Sequence, residues 1–337
     1  MDILALLSRG NLDAYAKAYN YSTEYLGDAL FTKEKTKNLI VRLSELSNNG
    51  DLPTIAKFSS FDAEAPIGSR ENFTTKTFEK LLIKEKLPTS EKAAYLLDNN
   101  VPEQDLIDYL FDDTNIEIQR VLTRVELANM TVMATGSLAI DENNIHKTID
   151  YGYKTAHNTP FQDWNDPTHS ILTDINSVIE KATAEGKVIR RAITSSKMVG
   201  YMVKNEEIID VLASLNKLST KQNVLDLILE QYGIDIAVND KLYKVEGGDT
   251  TTHRFFPENV ISFFGDGEFG KGLFAPTPDE IQTVGSSAQT DIEQFVYLKA
   301  WKENDPSTVW TMGSAVYLPL PLDIDNLFIS VVTNSNQ

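Results

Sequence analysis

Apolar residues recur every three or four positions over residues 103–133, which form the clearest periodic stretch of the chain. This spacing predicts one long helix, with a break at Asp112–Asp113 left open, because positions three and four apart share a helix face. Gly136 follows this stretch and predicts the end of the helix. The face expected to pack against the rest of the protein carries Ile118, Val121, Leu122 and Val125.

Residues 12–46 show a helical pattern in pieces, broken near Phe31–Thr32, and predict an N-terminal arm. Residues 52–91 differ, because two extended stretches, residues 55–61 and 75–87, flank a polar, turn-rich segment. This pattern predicts a long two-stranded projection. An isolated pair of strands is marginal in water, so the projection is expected to rest on another surface, such as a second copy of the chain.

Helices and strands alternate after residue 154, which predicts an α/β region. A hairpin precedes it at residues 138–149, and apolar runs predict further strands from residue 291 onward. Helices are predicted at residues 171–184, 196–204, 206–215 and 223–232. Strands are predicted at residues 188–194, 234–238, 242–245, 259–264, 295–301, 309–312, 315–320 and 327–332.

Composition narrows the classes of function. The chain has 337 residues, of which 42% are hydrophobic, enough for a core in one to three domains. It carries 31 Lys and Arg against 49 Asp and Glu, a net charge of −18 that disfavours binding to nucleic acid through phosphate neutralisation. The absence of cysteine excludes disulfides and thiolate chemistry. The chain shows no signal peptide and no run of eighteen apolar residues, which favours a protein used without membrane export.

One short stretch, Gly-Asp-Gly-Glu-Phe-Gly-Lys-Gly at residues 265–272, matches two phosphate-binding patterns. Gly265, Gly267 and Gly270 fit the G-x-G-x-x-G of dinucleotide-binding folds. Gly265, Gly270 and Lys271 fit the G-x-x-x-x-G-K of a P-loop. Either pattern in its proper structural context would indicate a nucleotide-dependent enzyme.

The residues around this octet argue against a nucleotide site. Asp266 and Glu268 would repel a bound phosphate, and Gly272 stands where a P-loop needs Ser or Thr. Pro276 and Pro278 prevent a helix from opening directly after the loop, so no helix dipole faces the anion. The sequence therefore favours a glycine-rich turn between strands.

Titratable residues elsewhere form no recognisable active site. His157, Asp163, Asp166 and His169 lie close in sequence, but their spacing matches no metal-ligand motif, and a solvated loop is favoured. We therefore expect no catalytic residue, no cofactor and no bound metal.

Arg120, Arg124 and Glu126 follow one another on the predicted long helix at spacings typical of surface ion pairs. A solvated or ion-pairing face is favoured over a catalytic pair, because such pairs are common on helix surfaces and individually weak. The sequence therefore offers no convincing active site, which disfavours an enzyme, because an enzyme of this size usually shows a recognisable set of titratable groups.

Four stretches are distinctive in combination. They are residues 30–39 (Leu-Phe-Thr-Lys-Glu-Lys-Thr-Lys-Asn-Leu), the projection with Ile67-Gly-Ser-Arg70 at its tip, residues 255–265 (Phe-Phe-Pro-Glu-Asn-Val-Ile-Ser-Phe-Phe-Gly), and residues 314–332 (Ser-Ala-Val-Tyr-Leu-Pro-Leu-Pro-Leu-Asp-Ile-Asp-Asn-Leu-Phe-Ile-Ser-Val-Val). Together, from about residue 25 to the end, they resemble the lambda-like major capsid protein E family of tailed bacteriophages, which has the Hong Kong 97-type fold.

The resemblance implies an α+β capsid fold in five segments. They are an N-terminal arm (residues 1–51), an extended E-loop hairpin (52–91), a peripheral domain with a long spine helix (92–150), an α/β axial domain (151–280) and a return to the peripheral domain (281–337). Contacts between subunits are expected at the E-loop tip, formed by Pro66, Ile67, Gly68, Ser69 and Arg70.

The same resemblance implies a major capsid protein that assembles through hexamers and pentamers into an icosahedral shell around double-stranded DNA. The implied partners are further copies of the chain, a portal protein, in some heads a decoration protein, and DNA enclosed without sequence-specific binding. A scaffolding protein is expected as a separate chain, because the stretch before the projection is shorter than an ordinary domain of about 100 residues. The implied location is the virion capsid, reached after assembly in the host cytoplasm, with no membrane.

Two alternatives stay open at this point. One is an encapsulin-like cellular shell of the same fold, which would enclose an enzyme cargo and no DNA. The other is a nucleotide-dependent enzyme that uses the loop from Gly265 to Gly272.

Overall fold

The fold is seen in a computed structural model, which describes residues 11–12, 24–47, 72–89, 103–245, 251–284, 295–305 and 307–334. The chain divides into two compact units, each assembled from discontinuous segments. Unit 1 comprises Met1–Ile40, Glu79–Met130 and Gly270–Leu322, and unit 2 comprises Val41–Phe78, Thr131–Phe269 and Asp323–Gln337. The five segment boundaries implied by the resemblance stay a prediction.

The described residues form seven α-helices and sixteen strands. In chain order these are α1 (Leu26–Leu30), β1 (Phe31–Lys35), β2 (Ile40–Ser47), β3 (Asn72–Glu79), β4 (Leu81–Thr89), α2 (Glu103–Thr135), β5 (Ser137–Glu142), β6 (Ile145–Asp150), β7 (Phe161–Gln162), α3 (Ile171–Ala184), β8 (Arg191–Thr194), α4 (Ser196–Lys204), α5 (Glu206–Ser214), α6 (Lys221–Tyr232), β9 (Asp235–Val238), β10 (Leu242–Lys244), β11 (Thr252–Arg254), β12 (Val260–Phe264), β13 (Gly270–Ala275), α7 (Pro278–Val284), β14 (Tyr297–Asn304), β15 (Ser307–Pro321) and β16 (Phe328–Thr333).

Unit 1 is built on a sheet centred on the long strand β15. Along one edge, β15 pairs antiparallel with β14 through residues 307–314 and with β13 through residues 316–321. Along its other edge it pairs with β4 through residues 309–317. Strand β1 extends the sheet by running parallel to β13. The two short strands predicted at residues 309–312 and 315–320 are therefore one strand, because ladders on both edges hold it straight through Gly313 and Ser314.

The long helix was predicted correctly, and it is unbroken at residues 112–113. It ends where expected, since Gly136 has a φ of +71° and its N–H donates to the Val132 carbonyl at 2.8 Å. The hairpin predicted after it is also confirmed as β5 and β6, which are joined by Asn143 and Asn144, both at positive φ.

The helical prediction for residues 12–46 is wrong over residues 31–46. Only the short α1 is helical between residues 24 and 47, and β1 and β2 follow it as strands. Strand β1 gains a backbone ladder with β13, and β2 pairs with β3. These partners lie far away in sequence, and tertiary pairing overrides the local helical pattern.

The predicted projection differs from the structure in its strands. Residues 75–87 are not one strand, because Lys80 separates β3 from β4, and β4 joins the sheet of unit 1. Strand β3 pairs with β2 instead of the predicted stretch at residues 55–61, which lies outside the described residues. The two-stranded element that the structure describes therefore begins at Ile40.

Unit 2 contains a mixed five-stranded sheet in the order β7-β16-β12-β8-β9. Its core includes Trp164, Ile175, Met198, Ile228 and Phe263, each at most 1% exposed. The four predicted helices of this region are confirmed as α3 to α6. Their ends are set locally by capping residues. Ser195, Asn205 and Thr220 accept backbone N–H bonds at the starts of α4, α5 and α6, and Gly233 ends α6 at a φ of +70°.

Candidate functional site

The apolar face of α2 packs into the core of unit 1. Ile118, Val121 and Val125 are at most 4% exposed, and Leu122 packs against the same cluster. This cluster also contains residues of three sheet strands, namely Phe274, Leu298, Val309, Ala315 and Tyr317. The other predicted contact residues, Pro66, Ile67, Gly68, Ser69 and Arg70, lie outside the described residues, and their role between subunits stays a prediction.

Buried polar side chains of α2 bind the backbone of distant segments. Glu126 is 1% exposed, and its carboxylate accepts the Gly27 N–H at 3.0 Å. Glu117 is fully buried and accepts the Gly313 N–H through Oε2 at 2.9 Å. The predicted solvated face is therefore wrong for Glu126, while Arg120 forms the expected ion pair, with Glu85.

Burial displaces the pKa values of Glu117 and Lys80, both in unit 1. Burial raises the pKa of Glu117 to about 7, and the Gly313 N–H opposes this shift only in part. Within the described residues, Oε1 of Glu117 has no hydrogen-bond partner. Burial likewise lowers the pKa of Lys80 to about 8, although nearby Glu34 favours the charged form. The Lys80 ammonium donates to the Phe274 carbonyl at 2.8 Å and to the Thr36 hydroxyl.

A cluster of lysine and tryptophan side chains lies on the sheet face opposite α2. We call it the lysine–tryptophan face, and it comprises Lys84, Lys86, Lys299, Trp301 and Trp310. Alternation along the strands places these residues together, since Ile83, Leu298 and Val309 turn toward the core cluster on the other side. In the ladder register Met312 stands opposite both Lys86 and Lys299, and Trp310 stands opposite Trp301.

The lysine–tryptophan face borders a concave pocket of about 690 Å³. Asp279, in the first turn of α7, accepts hydrogen bonds from Lys84 at 2.6 Å and from Lys299 at 3.1 Å. Both hydrogen bonds lower the pKa of the Asp279 carboxyl, and the bond from Lys84 has the larger effect. The Lys86 ammonium lies 4.0 Å from the centroid of the Trp310 ring, which is stacked on Trp301 with centroids 6.4 Å apart. This arrangement can bind an anionic group beside an aromatic surface.

The sequence interpretation missed this face, although a signal for it exists. Lys84 and Lys86, like Lys299 and Trp301, are separated by one residue on predicted strands, and this spacing puts each pair on one side of a sheet. What could not be foreseen is the register that brings the three strands side by side.

The first five residues of the octet, 265–269, form a turn between strands, as predicted, and the last three belong to β13. β12 ends at Phe264, β13 begins at Gly270, and the boundary between the two units falls between Phe269 and Gly270. The N–H of Gly267, which would face a phosphate in a cradle, donates to Asp266 at 2.8 Å. Lys271 is bound to Glu34 at 2.7 Å. The segment continues as a strand, and a short helix begins only at Pro278. These features do not fit a phosphate-binding loop.

The prediction of a solvated loop is confirmed around Asp166, since residues 165–168 are exposed, but it is wrong for His157. His157 is fully buried, its ring is stacked on Phe328 at 4.2 Å, and its nitrogens contact the Leu327 carbonyl and the Glu185 carboxylate. His169 contacts Asp174 instead, at 2.8 Å. The two histidines thus take part in separate structural contacts.

Neither a metal-binding cluster nor a membrane-spanning helix is found among the described residues. No group of three or more His, Asp or Glu side chains in this part of the chain is arranged to hold a metal ion. No helix among these residues is both long enough and apolar enough to cross a membrane.

A family model for phage major capsid protein E matches residues 8–332, nearly the whole chain. The chain belongs to this family. The predicted family is therefore confirmed, and the protein is a phage major capsid protein, a structural protein of the virion capsid. No curated protein sequence matches the chain.

Solved phage structures share the fold of this capsid protein. A prophage protein of Escherichia coli CFT073, described as a capsid protein, is 16% identical, with a TM-score of 0.64 over 96% of this chain and 99% of its own. The mature capsid of bacteriophage PhiM1 gives a TM-score of 0.54 at 7% identity, covering 95% of this chain and 90% of its own. A structure from Microbacterium phage Oxtober96 gives 0.51 at 12% identity, with coverages of 98% and 99%. The predicted α+β Hong Kong 97-type fold is confirmed.

Proposed function

We propose that the protein assembles through hexamers and pentamers into the icosahedral head of a tailed bacteriophage, which encloses double-stranded DNA. The observation that carries the proposal is the match to the capsid family over residues 8–332. We further propose that assembly takes place in the host cytoplasm with a separate scaffolding protein, that a portal protein occupies one vertex, that a decoration protein can bind outside, and that the subunit has no catalytic role.

The sheet of unit 1 supports an assembly role. Among the described residues, β14 pairs only with β15, so it has one edge without a strand partner. Such edges are an aggregation hazard for a free monomer, yet they become useful when a neighbouring subunit covers them. Repetition around a closed shell then converts modest contacts into high avidity.

The charge supports enclosure of DNA without tight binding to it. A wall with a net charge of −18 per subunit does not adsorb the packed genome, whereas a strongly basic wall would hold DNA non-specifically. The same charge makes free subunits repel one another. Contacts between copies must therefore combine apolar burial with local charge complementarity.

Sedimentation of the chain expressed with and without its neighbouring genes tests the proposed function. We expect fast-sedimenting particles when the neighbours are present, and nuclease-resistant DNA in particles recovered from phage-producing cells. Particles that contain an enzyme cargo and never contain DNA would instead indicate a cellular shell.

The same assay applied to Arg70→Glu tests the E-loop tip. We expect this substitution to lower the yield of assembled particles more than it impairs folding of the subunit.

A thermal shift measurement separates the shell from the nucleotide-dependent enzyme. A ligand at 100 times its dissociation constant stabilises a fold by about 2.7 kcal/mol. Because Lys271 is engaged by Glu34 and Asp266 occupies the Gly267 N–H, ATP and NAD are expected to leave the unfolding temperature unchanged. A saturable upward shift that disappears in Lys271→Ala would contradict this expectation.

A further inference from the structure

We propose that the lysine–tryptophan face is a docking surface for an acidic segment of a second copy of this chain. The inference rests on the proposed shell, since it names one surface through which neighbouring copies meet. Four features support it: the local charge, two half-buried tryptophan rings, the shape of the pocket and the net charge of the whole chain.

The local charge departs from that of the chain as a whole. Lys84 and Lys299 share the single carboxylate of Asp279. Lys86 has no carboxylate partner among the described residues, and its ammonium lies over the Trp310 ring instead. A carboxylate from another molecule could bind the Lys86 ammonium without displacing an existing ion pair. Three lysines, Lys84, Lys86 and Lys299, line the recess against two acidic residues, Glu85 and Asp279, on a chain in which acidic residues outnumber basic ones by 49 to 31.

The aromatic residues provide the apolar part of such a contact. Trp301 and Trp310 are stacked and only half-buried, and the floor beneath them holds Met312 at 2% exposure. The indole N–H of Trp310 donates to Glu303 at 2.8 Å, which fixes the ring at the rim. Tryptophan and methionine are enriched at protein interfaces, and tryptophan is a frequent hot-spot residue because it buries a large rigid surface.

The shape and the overall charge point to a protein segment from another copy. A pocket of about 690 Å³ is large enough to admit several side chains of a protein segment. Every copy carries exposed acidic turns, of which Asp266 and Glu268 are an example among the described residues. Two subunits of charge −18 repel over most of their surfaces, so a recess that receives carboxylates is a favourable place for them to meet.

Charge reversal tests the proposal through assembly. Lys86→Glu is expected to lower shell yield at least about tenfold, because the reversed charge is repeated at every equivalent contact of the shell. The matched control is Lys302→Glu, which makes the same change at an exposed residue on β14, on the opposite side of the sheet. Circular dichroism of both subunits checks that they fold. Wild-type yield from folded Lys86→Glu subunits would overturn the proposal.

Quenching of tryptophan fluorescence tests the proposal independently of charge reversal. Trp164 is 1% exposed, so quenching of free subunits by acrylamide reports mainly on Trp301 and Trp310. We expect quenching to fall on assembly into DNA-free shells, and the fall to be absent in a Trp301→Phe, Trp310→Phe double variant. Equal quenching before and after assembly would overturn the docking surface and leave the shell intact. Protection that requires DNA would overturn it in favour of nucleic acid. Failure of the wild-type chain to form shells would instead contradict the proposed function.

Discussion

Replacing Glu117 with glutamine is expected to stabilise the subunit at pH 8 by about 2 to 3 kcal/mol and to have little effect at pH 4. The carboxyl of Glu117 is fully buried, and its pKa is raised from 4.5 to about 7. A folded-state pKa above the unfolded value means that folding takes up a proton. The stability contribution of the group is therefore complete below pH 4.5 and is lost as the pH rises through 7.

Glutamine resembles the protonated acid in shape and keeps an oxygen for the Gly313 N–H. Urea unfolding of the unassembled subunit at several pH values measures the difference. Glu180→Gln makes the same chemical change at an exposed position of α3 and should alter stability little at any pH. Equal destabilisation by Glu117→Gln at pH 4 and pH 8 would show that Glu117 is charged in the fold and that its charge is needed.

The second large effect is expected at Gly270, the first residue of β13. A Cβ at this position would lie 2.5 Å from the Leu320 carbonyl oxygen and 2.9 Å from the Phe31 ring. Neither neighbour can yield easily, since Leu320 is held by its backbone ladder and Phe31 is 1% exposed. Gly270→Ala should therefore lower the free energy of unfolding by about 3 kcal/mol, the upper range for overpacking.

Gly267 provides the matched control within the same octet. It has a φ of +85°, and no atom lies within 4 Å of the position that a Cβ would take, so it needs only the left-handed conformation. Asparagine tolerates that conformation, and Gly267→Asn should cost less than about 1 kcal/mol. Denaturant midpoints of the two variants give the comparison. If Gly267→Asn lowers the free energy of unfolding more than Gly270→Ala does, the expectation is wrong. The conformation of the turn, and not the packing of β13, would then be the larger contribution of the octet to stability.

How far the sequence predicts this fold depends on how local each determinant is. The helix α2 and the capped helices of unit 2 follow from periodicity, cap residues and a terminal glycine, all within a few residues of one another. Strand β1 could not be recognised in the same way. Its partner β13 begins only at Gly270, far away in the sequence, so no local pattern reveals the pairing. Its charged sequence acquires a strand conformation only from that remote ladder.

The candidate site shows the same limit. Glu126 and Glu117 lie on a predicted helix, but their partners Gly27 and Gly313 are 99 and 196 residues away. Burial of these carboxylates cannot be inferred from helix periodicity, which assigned Glu126 to solvent. The lysine–tryptophan face combines strands β4, β14 and β15, so the alternation in each strand is visible while their adjacency is not.

Cryo-electron microscopy of particles from cells that express the chain with its neighbouring genes is the decisive test of assembly into a phage head. We expect closed icosahedral shells in which copies of this chain occupy six-fold and five-fold rings. Monomers that persist under all expression conditions, with no closed particles in any of them, would contradict the proposed shell.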